Sequence, residues 1–172
     1  LIAGGDNTSS AGAPGNNSTY YSGLMTGGAA SSITQVGTGA MTFQGPMAWG
    51  MTGTINVSGG TLAVGAANAM PYLAALNVGP GGVFNLNAQA TILGSLSGSG
   101  TVTNTGGSQI LTIGRDGAST TFSGALLGAG NLALTKIGAG TLTLQPGTGT
   151  NATGNLIVND GAVVLSGAGA SP

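Results

Sequence analysis

The chain has very little charge. Only 3% of its 172 residues are charged, against roughly a quarter in ordinary globular proteins. Arg115 and Lys136 are the two cations, and the net charge is -1. Because binding to nucleic acid depends on clustered basic residues, the sequence predicts no nucleic-acid partner. Low charge also weakens the repulsion between molecules, which favours self-association.

Cysteine, histidine and glutamate are missing altogether. Their absence removes disulfides, thiolate metal sites and the usual general bases and nucleophiles of enzymes. We therefore expect no enzyme, with no catalytic residue, no cofactor and no metal site. The chain also lacks any run of 18 apolar residues, so we expect no direct membrane insertion by this segment. It has no initiator Met or signal region and reads as a segment of something longer.

Apolar residues are nevertheless plentiful, at 41% of the chain, and they alternate with small polar ones. Ranges 54–57, 83–86 and 141–144 are typical examples. This period of two predicts short β-strands. The 36 glycines stand mostly between these runs, where their free φ angle permits tight turns. The sequence predicts an all-β protein without a helix longer than one turn.

An internal copy organises the chain. Residues 21–71 return as residues 122–172, at a constant shift of 101 positions and without a gap. The opening residues 1–6 return as 111–116, at a shift of 110, so the first copy carries nine extra residues between Ser10 and Tyr21. We interpret residues 1–172 as one domain that consists of copy one (1–110) and a truncated copy two (111–172).

Repeated units that each contain short strands and glycine turns favour a β-solenoid, in which each unit stacks on the next. At roughly 20 to 25 residues per turn, the sequence predicts roughly seven or eight turns, with strands of successive turns about 4.8 Å apart. The alternative is a β-sandwich, because many short strands at regular spacing also fit that fold.

The segment 128–167 contains a Lys-x-Gly-x-Gly-Thr-Leu-x-Leu run from Lys136 to Leu144 and an Asn-x-Gly-x-Val-x-Leu-x-Gly run from Asn159 to Gly167. It resembles the autotransporter-associated β-strand repeat, also named the passenger-associated transport repeat. Copy one matches it more loosely, with Gln35 at the position of Lys136. The resemblance implies a right-handed parallel β-helix in the exported passenger of a Gram-negative surface protein, and thus an extracellular or cell-surface location. It brings no catalytic or ligand residue.

The two copies differ most in one loop. Copy two has the polar residues 148–152, whereas copy one has Met47, Trp49 and Met51, with the only Trp of the chain. An apolar loop at this place indicates a buried contact, either with the solenoid itself or with a partner. The candidate interface consists of Met47, Trp49 and Met51, with Tyr20 and Tyr21 beside the nine-residue insertion.

The resulting functional prediction is a non-enzymatic structural protein, a β-solenoid stalk or a self-assembling surface fibre subunit. Its expected partners are further copies of itself, stacked end to end, or other parts of the parent surface protein. An adhesin module that binds a host surface or glycan is the alternative, with Tyr20, Tyr21, Trp49 and Tyr72 as its aromatic candidates. A polysaccharide-acting enzyme and an ice-binding protein are weaker alternatives. The enzyme needs a cluster of carboxylates, and the ice-binding protein needs a regular array of threonines.

Overall fold

A computed structural model describes residues 2–3, 18–21, 28–45, 51–128, 131–145 and 154–167. These residues form β-strands, turns and irregular segments, and no helix occurs among them. Accordingly, no helix in the described part of the chain is long and apolar enough to cross a membrane. The all-β prediction is confirmed.

Most of the 16 strands are short. They are β1 (Ile2–Ala3), β2 (Ser18–Tyr21), β3 (Ser32–Gln35), β4 (Ala40–Phe43), β5 (Thr54–Val64), β6 (Ala75–Asn85), β7 (Thr91–Ile92), β8 (Ser95–Gly98), β9 (Thr101–Thr103), β10 (Gln109–Ile113), β11 (Thr120–Phe122), β12 (Ala125–Leu127), β13 (Leu132–Lys136), β14 (Thr141–Leu144), β15 (Leu156–Val158) and β16 (Ala162–Leu165).

Every pairing between these strands is parallel. A 12-stranded sheet runs in the order β1-β3-β5-β6-β8-β11-β14-β16, with β2-β4 and β9-β12 attached through β5 and β6. A 4-stranded sheet runs in the order β15-β13-β10-β7. The chain returns to the same sheet after each circuit, so the fold is a β-solenoid. The β-sandwich alternative is wrong, since hairpin-linked antiparallel strands would have been needed.

The two copies use the same strand register. Gln35 pairs with Val57 in copy one, and its counterpart Lys136 pairs with Val158 in copy two. Phe43 pairs with Val64, just as the counterparts Leu144 and Leu165 pair. The internal repeat of the sequence is therefore also a repeat of the backbone pairing.

Corresponding strands nevertheless lie in different sheets. By sequence β3 corresponds to β13, yet β3 belongs to the 12-stranded sheet and β13 to the 4-stranded one. Likewise β14 stands on the main path of the large sheet, whereas its counterpart β4 is attached beside that path. Copy two is thus turned about the solenoid axis relative to copy one, because 101 residues do not make a whole number of turns.

The core consists of apolar side chains stacked in columns along the axis. Ile33, Ile55, Leu76 and Leu96 form one column through successive parallel pairs, and all four are buried. Phe84 pairs with Leu62 and Val102 in another column. Each side chain is therefore covered by the turns above and below it, which is how a solenoid buries residues that a single turn would leave exposed.

The turns of the solenoid are unequal in length. Eight strands from successive circuits lie side by side along the main path of the large sheet, from β1 to β16, which agrees with the seven or eight turns expected. Ala3 pairs with Gln35, 32 positions on, whereas Gln35 pairs with Val57, only 22 positions on. The nine extra residues of copy one fall within that first, longer circuit, and several further stretches lie outside the described residues.

Polar side chains link the turns at one corner. Asn104 is buried; its Nδ2 donates to the carbonyl oxygens of Gly107 and Asn131, both at 2.8 Å. Its Oδ1 accepts a hydrogen bond from the backbone N–H of Ala88 at 3.0 Å. One amide side chain thus joins three segments far apart in sequence, which satisfies backbone groups that burial would otherwise leave unpaired.

Candidate functional site

The predicted interface residues are only partly described. Tyr20 lies on β2, where it pairs with Thr42, and its side chain is more than half exposed. Tyr21 follows on the same strand and pairs with Phe43. Met47 and Trp49 lie outside the described residues. The proposed grouping of these side chains into one interface therefore stays a prediction.

Met51 is buried within the main hydrophobic cluster. It lies just before β5, between the copy-one loop and the column that contains Ile55. The buried position of Met51 agrees with contact between this loop and the solenoid itself rather than with a partner. Met51 offers almost no surface to a partner.

Lys136 is the last residue of β13, and its side chain points into the solenoid. Most buried lysines are paired with an acid, but the partners of Lys136 are backbone carbonyls. It is among the largest fully buried side chains of the described chain. Its Nζ donates to the carbonyl oxygens of Ile137 at 2.5 Å and Gly138 at 2.6 Å. The ammonium group therefore satisfies two carbonyl oxygens on the inside of the turn that follows β13. This is a structural role.

Gln35 occupies the same place in copy one and is equally buried. Its Nε2 donates to the carbonyl oxygens of Gly39 at 3.2 Å and Val36 at 3.4 Å. Its Oε1 is buried and accepts no hydrogen bond. Both side chains therefore serve the turn after the strand, and Gln35 does so less completely than Lys136.

The two described aspartates also act within turns. Asp116 Oδ1 accepts a hydrogen bond from the backbone N–H of Ala118 at 2.9 Å, which is the geometry of an Asx-turn. Asp160 Oδ1 accepts from the N–H of Gly161 at 2.8 Å. In the described ranges, no group of three or more His, Cys, Asp or Glu side chains is placed to hold a metal ion.

An open groove of about 390 Å³ lies against the outside of the 4-stranded sheet. Its floor includes Ile92 and Ile110, and its wall includes Met70. At its rim the guanidinium carbon of Arg115 lies 4.5 Å from the ring centroid of Tyr72, within the range of a cation–π contact. The groove therefore combines an apolar floor with one cation and one aromatic ring.

The last described turn of the solenoid has exposed apolar side chains. On β15 and β16 the exposed side chains include Leu156, Val158 and Leu165. All three pair with residues that point into the core, namely Leu134, Lys136 and Leu144. Within the described chain, β15 and β16 each pair with one strand only.

Comparisons with protein-family models, with curated proteins and with solved structures find no match. The fold and the geometry above are therefore the basis for any functional argument.

Sequence reasoning missed the groove. The groove brings Tyr72 and Arg115 together although they are distant in sequence, and no motif marks such a pair.

Proposed function

We propose that this chain is a non-enzymatic structural protein, a β-solenoid stalk or fibre subunit of the autotransporter-passenger type that acts outside the cell. The observation that carries the proposal is the repeated parallel register. The same pairing serves both copies, so each turn offers the next one the same kind of surface. Such a fold extends along one axis without any change in its cross-section.

Hydrogen bonds between the side chains of adjacent turns also stabilise the stack. Asn77 Nδ2 donates to Asn56 Oδ1 at 3.3 Å across adjacent turns, and Ser97 Oγ donates to Asn77 Oδ1 at 3.4 Å. Asn56, Asn77 and Ser97 are paired residues on the adjacent strands β5, β6 and β8. Polar ladders outside and apolar columns inside resist separation of the turns with hardly any charge, which suits a protein whose role is mechanical.

The Lys136 to Leu144 and Asn159 to Gly167 runs support the cell-surface part of the proposal, since both belong to the repeat that the sequence resembles. In the structure the first run spans the end of β13, the following turn and β14, and the second contains β16. The motif residues therefore specify one turn of the solenoid. This agrees with a module that contributes length.

Single-molecule pulling tests the structural role directly. The chain has no cysteine, so single cysteines introduced in β3 and β16 give unambiguous attachment points along the axis. We expect the solenoid to unravel in steps of about 70 to 80 Å, the extended length of one turn of 20 to 24 residues at about 3.4 Å each. Loss of the whole fold in one low-force event would contradict a stalk that withstands mechanical force. Pulling across one turn is the geometric control.

The groove beside Tyr72 and Arg115 favours one second candidate, the adhesin module. Aromatic rings with a nearby polar or charged group are a common way to hold a sugar, and the cavity has the size of a small-ligand site. Binding of the chain to a glycan array, lost in Tyr72→Ala and Arg115→Ala but kept in Tyr20→Ala, is expected if this function is correct. Binding that depends on Tyr20 instead would move the site to β2.

A further inference from the structure

Arg115 gives the groove outside the 4-stranded sheet a positive charge. It is one of two cations in the sequence. The other, Lys136, is buried and donates to backbone carbonyls, whereas Arg115 is exposed at the rim of the groove. No acidic side chain is among the described residues that line the groove. The groove therefore favours an anionic ligand.

Tyr72 holds the guanidinium group of Arg115 in a defined place. The guanidinium carbon lies over the ring of Tyr72, 4.5 Å from its centroid. A guanidinium group that stacks on a ring keeps its N–H donors in its own plane, directed away from the ring. The neighbouring Asp116 is held in its own turn, where its Oδ1 accepts a hydrogen bond from the N–H of Ala118. The donors of Arg115 are thus placed for a bidentate pair with the carboxylate of a ligand.

The floor of the groove is apolar where outward positions of this fold are elsewhere polar. Ile92 and Ile110 line the groove and are 42% and 46% exposed. Ile92 pairs with Thr112, which lies two positions after Ile110 on the same outer face of β10. By contrast, outward positions of β5, β6 and β8 carry polar side chains that bond to one another across the turns. Two solvent-exposed isoleucines at the base of a groove indicate a ligand with a small apolar group.

Polar side chains of the groove are placed to bind hydroxyl groups. Asn68 is exposed and Thr112 is half-buried, and both line the groove. Thr91 also lines it, but its hydroxyl group donates to the carbonyl oxygen of Gln89 at 3.1 Å. A sugar ring would use the amide of Asn68 and the hydroxyl of Thr112, whereas a simple acyl chain would use neither. The volume of about 390 Å³ is that of a small-ligand site.

We propose that this groove binds an N-acylated acidic sugar. The carboxylate pairs with the guanidinium group of Arg115. The methyl of the N-acetyl group packs on Ile92 and Ile110, and hydroxyl groups of the sugar bond to Asn68 and Thr112. The inference rests on the adhesin candidate, since it names the class of glycan that such a module would bind.

Three ligands that differ by one group test this proposal. The first is the methyl glycoside of N-acetylneuraminic acid, the second its analogue with a hydroxyl in place of the acetamido group, and the third its carboxylate methyl ester. Each is titrated into the isotopically labelled full chain and followed by NMR. The ester is expected to bind about tenfold more weakly than the first ligand, because it loses the charge-assisted pair. The hydroxyl analogue is expected to bind about fourfold more weakly, because it loses the buried methyl group.

N-Acetylmuramic acid, titrated in the same way, distinguishes two sources of the same chemistry. It carries a carboxylate and an N-acetyl group on a different sugar. Tighter binding of N-acetylmuramic acid would support the proposal and assign the site to a cell-wall glycan, whereas tighter binding of the neuraminic acid glycoside would assign it to a host glycan.

Three variants of the chain separate the two contacts. In Arg115→Gln the acid and its ester are expected to bind equally, since the guanidinium group is gone. In Ile110→Thr the acetamido and hydroxyl ligands are expected to bind equally. Ile157→Thr is the matched control, because Ile157 is a 42% exposed isoleucine of the same sheet that is not among the residues of the groove. It is expected to keep both preferences. All three residues are exposed, so the variants are expected to fold, which circular dichroism checks.

Two results would overturn the inference. Equal affinity of the unaltered chain for the acid and its ester would show that Arg115 does not bind the carboxylate. Loss of the acetamido preference in Ile157→Thr as well as in Ile110→Thr would place the contact outside the groove. Neutral glycans that bind through Tyr72 in either case would leave the adhesin candidate standing, whereas no binding of any sugar would end both. Stepwise unravelling under load tests the stalk alone and is independent of these outcomes.

Discussion

Residues 54–64 and residues 155–165 are the same turn of the repeat in two different surroundings. Both pair in parallel with the preceding turn in the same register. The first is covered by β6 and is buried, and the second ends the described solenoid and exposes its apolar side chains. In a solenoid, therefore, the burial of a residue is decided by the neighbouring turn rather than by its own sequence.

Gln35 and Lys136 extend this comparison to polar residues. Both are buried at the same position, and both donate to carbonyl oxygens of the turn that follows. Lys136 makes the shorter bonds, whereas the Oε1 of Gln35 accepts none. A polar side chain is thus tolerated at this position because carbonyl oxygens of the following turn accept its hydrogen bonds. The ammonium group of Lys136 satisfies these oxygens better than the amide of Gln35 does.

The largest expected effect comes from truncation of corresponding core residues. Ile55→Ala is expected to lower the free energy of unfolding by about 3 kcal/mol, because it opens a cavity in a fully covered turn. Leu156→Ala is expected to lower it by less than about 1 kcal/mol, since solvent already reaches that side chain. Urea denaturation followed by circular dichroism measures both. Equal losses would show that the end of the solenoid is covered in solution.

Two corresponding glycines should respond alike. Gly60 and Gly161 have φ angles of 64° and 70°. A Cβ at Gly60 would lie 2.2 Å from the carbonyl oxygen of Gly39, and one at Gly161 would lie 2.4 Å from that of Gly138. Both clashes are with the preceding turn, which both copies have. We expect Gly60→Ala and Gly161→Ala each to destabilise the fold by about 2 kcal/mol in the same denaturation experiment. A neutral Gly161→Ala would mean that the last turn is held loosely.

Exchange of the buried polar residue gives a smaller effect. Lys136→Gln installs the residue that copy one uses, with the loss of short charge-assisted hydrogen bonds and one unpaired buried oxygen. We expect a loss of about 1 kcal/mol in thermal unfolding. Gln35→Lys is the reciprocal control and is expected to be neutral or stabilising. A gain in stability from Lys136→Gln would contradict the role given to the ammonium group.

The smallest effect concerns the Asx-turn after β10. Asp116→Ala removes one exposed hydrogen bond and is expected to destabilise by about 0.5 kcal/mol, whereas Asp116→Asn keeps the acceptor and should be neutral. Asp6 is the counterpart of Asp116 but lies outside the described residues. The same substitutions at Asp6, measured by the same thermal unfolding, would show whether copy one forms the same turn. Different losses at the two positions would indicate that the nine-residue insertion alters it.

Much of the fold followed from local patterns in the sequence. Alternation identified segments such as 54–57 and 141–144 as strands, because the period of a strand is a local property. Glycines between such segments were expected in turns, and Gly138 and Gly161 have the positive φ angles of turn residues. The internal copy predicted that the units stack on one another, since similar units can bury each other's apolar faces. The length of each circuit did not follow, because it varies from 20 positions between Asn77 and Ser97 to 32 positions between Ala3 and Gln35.

The remaining features depend on contacts between turns, which the sequence does not display. The rotation of copy two depends on the length of every circuit between the copies. The inward direction of Lys136 depends on the carbonyl oxygens of Ile137 and Gly138, which accept its hydrogen bonds, although its correspondence with Gln35 was a hint. The Tyr72–Arg115 groove results from two turns whose loops meet only in three dimensions. The site residues were accordingly the least predictable part.

Cysteine cross-linking tests the central claim, a common parallel register in both copies. In the cysteine-free chain, Thr34→Cys with Asn56→Cys and Thr135→Cys with Ile157→Cys place thiols at paired outward positions on adjacent turns. Backbones about 4.8 Å apart lie within reach of a disulfide or a very short cross-linker. Both pairs are expected to cross-link rapidly, and the diagonal pairs Ser32→Cys with Asn56→Cys and Ala133→Cys with Ile157→Cys slowly or not at all. Efficient linkage of the diagonal pairs, or of only one in-register pair, would contradict the account.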